Sequence, residues 1–102
     1  MKTTPALPEW CWKSYLGHGL LDADGAWICL NPALCYLFQR PAWEFFGRLL
    51  DETLGESSRE IFRKAWEDVV SGALPSRCMD LEFPAPDGGR LFTDAFLTKF
   101  EE

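Results

Sequence analysis

The sequence predicts an α+β domain in which an antiparallel sheet packs against short helices and one long helix on one face. Two observations carry this prediction. An Asp-Gly pair stands between apolar runs near each end of the chain, at Asp24–Gly25 and at Asp87–Gly88, and such a pair is a strong β-hairpin signal. Between these hairpins, apolar residues recur at helical spacing over residues 61–70.

The composition indicates a single packed domain. The chain has 102 residues, of which 47% are hydrophobic and 15% aromatic, which suffices for one core and leaves no room for a second. The formal net charge of −6 argues against nucleic-acid binding, which depends on clustered Lys and Arg. We expect residues 1–7 to form a flexible lead-in and residues 8–102 to form the domain.

Neither the apolar runs nor the cysteines indicate export or membrane insertion. No run approaches the roughly 20 apolar residues of a transmembrane helix, and the N-terminus lacks the apolar core of a signal peptide. The cysteines, Cys11, Cys29, Cys35 and Cys78, include no C-x-x-C pair. We therefore expect reduced cysteines and a cytoplasmic location.

The N-terminal segment is predicted to be a short helix over residues 8–16, which begins at Pro8 and stops at Gly17. It carries Trp10 and Trp12 but has no long apolar pattern of its own, so it must dock on another surface. We expect it to cap the domain by covering a sheet face of its own chain, or to pack against a partner copy.

The first hairpin leads directly into a helix. The turn at Asp22–Gly25 joins a strand over residues 17–21 to a strand over residues 26–30. Asn31 is predicted to cap the following helix, and Pro32 suits its first position. Replacing Asn31 with alanine is expected to lower the free energy of unfolding by about 1 kcal/mol, because the helix loses its cap.

The middle of the chain is predicted to be helical. Pro41 interrupts the helix after the first hairpin, a short helical piece follows over residues 42–46, and residues 48–54 form a further turn. Ser57 and Glu60 match a capping box at the start of the long helix, in which each side chain satisfies a free backbone N–H.

The apolar period changes to two after Gly72, which is predicted to end the long helix in the left-handed conformation. Residues 78–83 alternate as a half-buried strand requires, with Met79, Leu81 and Phe83 on one face. The turn at residues 84–89 then leads into a long strand over residues 91–100.

In their order and spacing, these features resemble a PAS domain over about residues 14–100. The family's D-x-D-G hairpin, apolar strand and N-P-A occur as Asp22–Gly25 through Asn31–Ala33, and its short helix ending in G-R resembles Glu44–Arg48. Its long helix closing in S-G is similar to Ala65–Gly72, and its later D-G hairpin to Asp87–Gly88. The motif residues are Asp22, Gly25, Asn31, Pro32, Asp87 and Gly88.

The resemblance implies a five-stranded antiparallel sheet with helices on one face. PAS domains sense small molecules, redox state or light, or they dimerise. They usually regulate an attached histidine kinase, cyclic-dinucleotide enzyme or transcription factor. The family's final, central strand should follow residue 100, whereas the sequence ends at Glu102. Either the sequence is a piece of a longer protein, or another element takes the place of this strand, for which we expect the N-terminal segment or a second copy.

The resemblance does not extend to the family's covalent-flavin and haem sites. A flavin adduct needs a reactive cysteine just after Gly47–Arg48, and a haem needs a histidine on the long helix. Residues 49–52 contain no cysteine, and the single histidine, His18, lies near the start of the first hairpin and not on the long helix. Zinc has no ligand spacing either. The sequence therefore requires no cofactor or metal, and non-covalent flavin stays open.

An apolar pocket between the sheet and the helices is the remaining candidate site. Strand alternation and the resemblance place Trp27 and Cys29 on the helical side. The residues predicted to share the space are Trp27, Cys29, Phe62, Trp66, Met79, Leu81, Phe92 and Phe96. Either these side chains fill the space, which their bulk favours, or it holds a small-molecule ligand.

The sequence thus predicts a regulatory sensor or dimerisation domain of a signal-transduction protein, with a homodimer partner and a covalently linked effector domain. A sensor that holds flavin or another small aromatic molecule without a covalent bond is the alternative. A small stand-alone enzyme is the weakest alternative, because no nucleophile–base pair or acid–base constellation is present.

Overall fold

The computed structural model describes residues 6–99. Its elements in chain order are α1 Glu9–Trp12, β1 Gly19–Leu21, β2 Trp27–Leu30, α2 Pro32–Phe38, α3 Glu56–Val70, β3 Ser76–Pro84 and β4 Arg90–Thr98. Two 3₁₀ turns, Ala42–Glu44 and Leu50–Thr53, connect α2 to α3. The predicted α+β class and the predicted order of hairpin, helices and hairpin are confirmed.

The strands pair as two antiparallel hairpins. Within the described residues, β1 pairs with β2 and β3 pairs with β4, and no ladder joins the two hairpins. β3 and β4 stay in register from Ser76 opposite Thr98 to Pro84 opposite Arg90. Four strands are therefore seen, where the resemblance implied five.

One aspartate closes the first hairpin turn. The Asp22 oxygen Oδ1 accepts hydrogen bonds from the backbone N–H of Asp24, at 2.9 Å, and of Ala26, at 3.0 Å. Gly25 has a φ of 87°, which glycine adopts without strain. The predicted Asp-Gly turn is confirmed, and Asp22 has a structural role in it.

The second hairpin turn is built in a similar way. Asp87 accepts the N–H of Gly89 at its Oδ1 atom, at 2.8 Å. Gly88 has a φ of 87°, again in the left-handed region. This turn fixes the register of the β3–β4 hairpin, because the strands leave it at adjacent, paired positions, Pro84 and Arg90.

Asn31 ties three segments of the chain together. Its side-chain oxygen accepts hydrogen bonds from the N–H of Leu34, at 3.0 Å, and of His18, at 2.8 Å. Its side-chain nitrogen donates to the carbonyl oxygens of Cys11, at 2.8 Å, and Leu16, at 2.9 Å. The residue is fully buried. Asn31 is therefore the predicted cap of α2, and it also fixes the N-terminal segment to the domain.

The N-terminal segment contributes one helical turn, which is shorter than the predicted helix over residues 8–16. Cys11 is buried, whereas Trp10 and Trp12 of the same turn are 71% and 47% exposed. The segment forms no strand within residues 6–16, so this part of it does not take the place of a fifth strand. Most of the predicted lead-in, residues 1–7, lies outside the described residues.

The start of α3 differs from the predicted Ser57–Glu60 capping box. The N-cap is Gly55, and no side chain caps the helix. The Ser57 hydroxyl instead donates to a Glu82 carboxylate oxygen at 3.2 Å, and the Ser58 hydroxyl oxygen accepts the N–H of Glu82 at 2.8 Å. The capping-box prediction is wrong because β3 lies beside the helix start and binds the serine hydroxyls.

The core lies between the helices and the inner faces of both hairpins. One cluster contains the buried residues Trp27, Leu30, Leu34, Phe38, Phe45, Leu50, Leu54, Phe62, Leu81 and Phe83. α3 presents Phe62, Ala65 and Val69 as its buried side and is followed by Gly72 at a φ of 84°, as predicted. Among the described helices, none has the length and apolar character needed to span a membrane.

Candidate functional site

Five of the predicted pocket residues come together on the inner side of the domain. Trp27, Phe62 and Leu81 are buried in the core, and Trp66 and Met79 pack against it as half-buried side chains. The rings of Phe62 and Trp66, one helical turn apart on α3, have centroids 5.9 Å apart. β2, α3 and β3 therefore build this inner side.

Three further aromatic side chains occupy the centre of the same space. The ring centroid of Phe38 lies 6.3 Å from that of Trp27, 5.3 Å from that of Phe45 and 4.6 Å from that of Phe83. Phe83 could have been assigned to the site from the alternation of β3. Phe38 and Phe45 lie in short helical segments, where local spacing does not fix the direction of a side chain.

Phe92 and Phe96 do not reach this space, so their prediction as pocket residues is wrong. Phe92 lies opposite Glu82 and Phe96 opposite Cys78 in the β3–β4 register. Opposite residues share a face, and here both rings lie on the face that points away from the core, where they are 70% and 64% exposed. The positions of β4 that pack against the core are Leu91, Ala95 and Leu97.

Cys29 also lies outside the core. The β1–β2 pairing has an irregularity after Leu20, which lies opposite Cys29, whereas Leu21 lies opposite Trp27. Trp27 thus joins the core, while the Cys29 thiol lies at the backbone of Leu7 and Leu20. The prediction that both side chains point to the helical side is wrong for Cys29. Burial raises the pKa of this thiol, so it is protonated at neutral pH.

The indole N–H of Trp27 has no hydrogen-bond partner among the described residues, although it is buried. The ring itself is tightly enclosed, since a Cβ atom added at Gly19 would clash with Trp27 Cζ3. Leaving a buried donor unpaired costs about 1–3 kcal/mol. Trp27 Nε1 is therefore the point of the core at which an added hydrogen-bond acceptor would be most favourable.

His18 has a packing role between the N-terminal segment and β1. Its ring meets that of Trp10 edge to face, with centroids 5.8 Å apart, and its backbone N–H and carbonyl both bond to Asn31. Within residues 6–99, no three His, Cys, Asp or Glu side chains lie close enough together to hold a metal ion.

The face of the β3–β4 hairpin that points away from the core is the other distinctive surface. We define this outer face by its exposed residues Cys78, Asp80, Phe92, Asp94 and Phe96. Asp80 lies directly opposite Asp94. The Asp94 carboxylate accepts a hydrogen bond from the protonated Asp80 carboxyl, and this bond, together with the negative charge of Asp94, raises the pKa of Asp80. The outer face therefore carries an acidic pair flanked by two aromatic rings.

Comparison with known protein families identifies the family to which this fold belongs. A family model described as the PAS fold matches residues 16–98. The chain belongs to the PAS family. The match includes the four strands and both longer helices of the described residues and leaves α1 outside it. A search of curated proteins finds no match.

Membership in the family sets the general role of the protein. PAS domains are generally sensory rather than catalytic, and they mediate protein–protein contacts. This PAS domain is therefore a sensory or regulatory module in the general sense. Its inner side, its N-terminal surface and its outer face are the three places where such a role can be exerted.

Proposed function

We propose that this PAS domain is a regulatory module of a signal-transduction protein that works through protein–protein contacts, including contact with a second copy. The observation that carries the proposal is the distribution of aromatic side chains. Inside, the rings of Phe38, Phe45 and Phe83 and the indole of Trp27 pack against one another, which leaves little volume for a ligand. Outside, several large apolar side chains face solvent.

The α1 surface is the proposed contact between copies. We define it by the exposed residues Trp10, Trp12, Tyr15, Leu16 and Tyr36. Trp12, Tyr15 and Tyr36 line one shallow depression, so helix α2 and the N-terminal segment contribute to the same patch. Exposed apolar patches are typical of protein–protein contacts. Asn31 fixes this segment to the domain, so the patch presents a defined shape.

The effector side of the proposal rests on the family. PAS domains usually regulate an attached histidine kinase, cyclic-dinucleotide enzyme or transcription regulator. We propose a covalently linked effector of one of these classes, in a cytoplasmic protein. A change in the contact between two PAS domains would then change the relative position of two effectors.

The mass in solution tests the proposed dimer. Sedimentation equilibrium should give twice the chain mass for the wild type and the chain mass for a Trp12→Ser/Tyr15→Ser variant. Trp43→Ser is the matched control, because Trp43 is 71% exposed but lies in the 3₁₀ turn Ala42–Glu44, outside the α1 surface. A monomeric wild type, or a control that dissociates like the double variant, would contradict the proposal.

A non-covalent ligand sensor is the second candidate, and the unpaired Trp27 indole N–H supports it. A flavin or another small aromatic molecule with a hydrogen-bond acceptor would satisfy this donor. Absorption spectroscopy and native mass spectrometry of the purified protein would detect such a molecule. Trp27→Phe keeps an aromatic ring and removes the donor, so it should release the ligand. Protein purified without added mass or visible absorption would argue against this candidate.

A further inference from the structure

The outer face of the β3–β4 hairpin has a regular arrangement of side chains. Phe92, Asp94 and Phe96 are alternate residues of β4 and therefore share one face. The two rings are about 13 Å apart along the strand, with the carboxyl of Asp94 between them. Asp80 on β3 lies opposite Asp94, so two carboxyl groups stand side by side between the rings.

This arrangement is unfavourable for the isolated domain. Like charges directly opposite one another destabilise an antiparallel pair of strands. Exposed phenylalanine rings do not contribute the stabilising free energy that burial of apolar surface provides. Arg90, which shares this face of β4, forms its ion pair with Glu82 at 3.3 Å. In the part of the chain that the structure describes, neither Asp80 nor Asp94 forms an ion pair.

We propose that the outer face docks a segment of a partner protein that presents one lysine or arginine between two apolar side chains. The cation pairs with the two carboxyl groups, and the apolar side chains cover the rings of Phe92 and Phe96. This inference rests on the proposed function, because it assigns a partner to a module that acts through protein contacts. The raised pKa of Asp80 is consistent with an acidic pair whose negative charge no neighbouring cation neutralises.

A second copy of the chain fits the outer face poorly. Two outer faces packed against each other would bring four carboxyl groups together, in molecules that each have a formal net charge of −6. Such like-charge contact is strongly unfavourable. The charge of the outer face therefore selects a basic partner, and the α1 surface, which lacks this acidic pair, stays the proposed contact between copies.

A pair of synthetic peptides tests this inference. The probe peptide has leucine, arginine and leucine at alternate positions in a threonine background, so that these three side chains share one face of an extended strand. The control peptide has glutamate in place of arginine. Titration of the ¹⁵N-labelled chain of 102 residues with the probe peptide should shift the amide signals of β4, and the control peptide should bind at least about tenfold more weakly.

Variants of the protein separate a specific site from general charge attraction. Asp80→Asn/Asp94→Asn should weaken probe binding about tenfold, and Phe96→Ser should also weaken it. Glu52→Gln/Glu60→Gln is the matched control, because it removes the same charge from exposed positions elsewhere and should leave binding within about twofold. Circular dichroism verifies that each variant is folded.

Three results of the peptide titrations would overturn the inference. These are equal binding of both peptides, equal weakening by the Asn and Gln double variants, and signal shifts confined to residues outside β3 and β4. A dimer that dissociates in Phe96→Ser would also overturn it, because a second copy would then occupy the outer face. None of these peptide results bears on the Trp12→Ser/Tyr15→Ser dissociation, so this inference and the proposed dimer can fail separately.

Discussion

At the scale of single residues, Asn31 bonds to more of the chain than its capping role requires. Only the hydrogen bond from the Leu34 N–H belongs to the cap of α2. The other three bonds connect Asn31 to His18, Cys11 and Leu16. α1 and the entry to β1 thus depend on the same buried amide group. If the Asn31 side chain is removed, water does not reach the backbone groups that were bonded to it.

Asn31→Ala is therefore expected to lower the free energy of unfolding by about 3 kcal/mol, well above the value for a lost helix cap, because several buried backbone groups lose their partner. Urea unfolding followed by circular dichroism measures this change. Asn31→Ser keeps an oxygen for the Leu34 N–H but loses the two donated bonds, so its effect should be intermediate. A loss of only about 1 kcal/mol in Asn31→Ala would show that the cap alone matters.

The Asp80–Asp94 pair makes stability depend on pH. Asp94 raises the pKa of Asp80 above its ordinary value of 3.8, first through a hydrogen bond and second through its charge. Between 3.8 and the raised pKa, the folded state binds more protons than the unfolded chain. This contribution to stability is present below 3.8 and is lost as the pH rises through the raised pKa.

Asp94→Asn removes the charge that faces Asp80, so we expect a higher urea midpoint at neutral pH and an unchanged midpoint near pH 3. The comparison is made at low ionic strength, because salt screens exposed charges. Glu60→Gln removes the same charge from an exposed position on α3 and serves as the control. An equal gain in both variants would attribute the effect to net charge rather than to the pair.

At the scale of elements, hydrogen bonds outside the regular ladders join α3 to β3. The Gly55 N–H donates to the Glu82 carbonyl oxygen at 2.8 Å, and the Glu82 N–H donates to the Ser58 hydroxyl oxygen at 2.8 Å. Both backbone groups of Glu82 are thus occupied by the start of the helix. The contact also covers part of the β3 edge, which would otherwise be open to other chains.

Ser58→Ala should lower the free energy of unfolding by about 1–2 kcal/mol, because the Glu82 N–H loses its acceptor in a half-buried position. Ser57→Ala is the matched control: Ser57 is exposed, and its loss should cost about 0.5 kcal/mol or less. Chemical denaturation of the two variants decides the order. The reverse order, in which Ser57→Ala lowers the free energy of unfolding more than Ser58→Ala, would support the predicted capping box at the start of α3.

At the scale of the whole molecule, the two hairpins are unequally supported. β3 and β4 pair over their full length and pack against α3, whereas β1 and β2 pair at three positions. A two-stranded hairpin is marginally stable by itself. β2 gains further bonds from the segment after the first 3₁₀ turn, since the Trp27 N–H donates to the Arg48 carbonyl oxygen and the Trp27 carbonyl accepts the Gly47 N–H.

Hydrogen exchange should follow this difference. We expect greater amide protection in α3, in β3 and in the β4 amides that face β3 than in β1 and β2, because short hairpins open locally at lower free energy. The β4 amides that point away from β3 should exchange fast, since no described strand covers that edge. Equal protection of both hairpins would contradict the first expectation, and slow exchange along the open β4 edge would reveal an added strand.

Local signals in the sequence predicted the turns and the cap correctly. Asp22 and Asp87 close their turns through residues two to four positions away, and Asn31 with Pro32 starts α2 within the same few residues. Such contacts depend on neighbours along the chain, so a single sequence contains what is needed to predict them.

The errors at the candidate site and at the start of α3 involve partners that are distant in sequence. Phe92 was assigned to the wrong face because alternation alone does not say which side of a strand faces the core; the pairing with β3 decides it. Cys29 was misplaced because the pairing irregularity at Leu20 reverses its direction. Ser58 was overlooked because its partner, Glu82, lies 24 residues away.

The bonds between Asn31 and the N-terminal segment also define a mechanical path. A pull or twist on the chain ahead of α1 reaches the carbonyls of Cys11 and Leu16, and both are bonded to the same side-chain nitrogen. While those two bonds hold, such a displacement is passed to the start of α2. If they break, the two hydrogen bonds between Asn31 and His18 still join the entry of β1 to the start of α2.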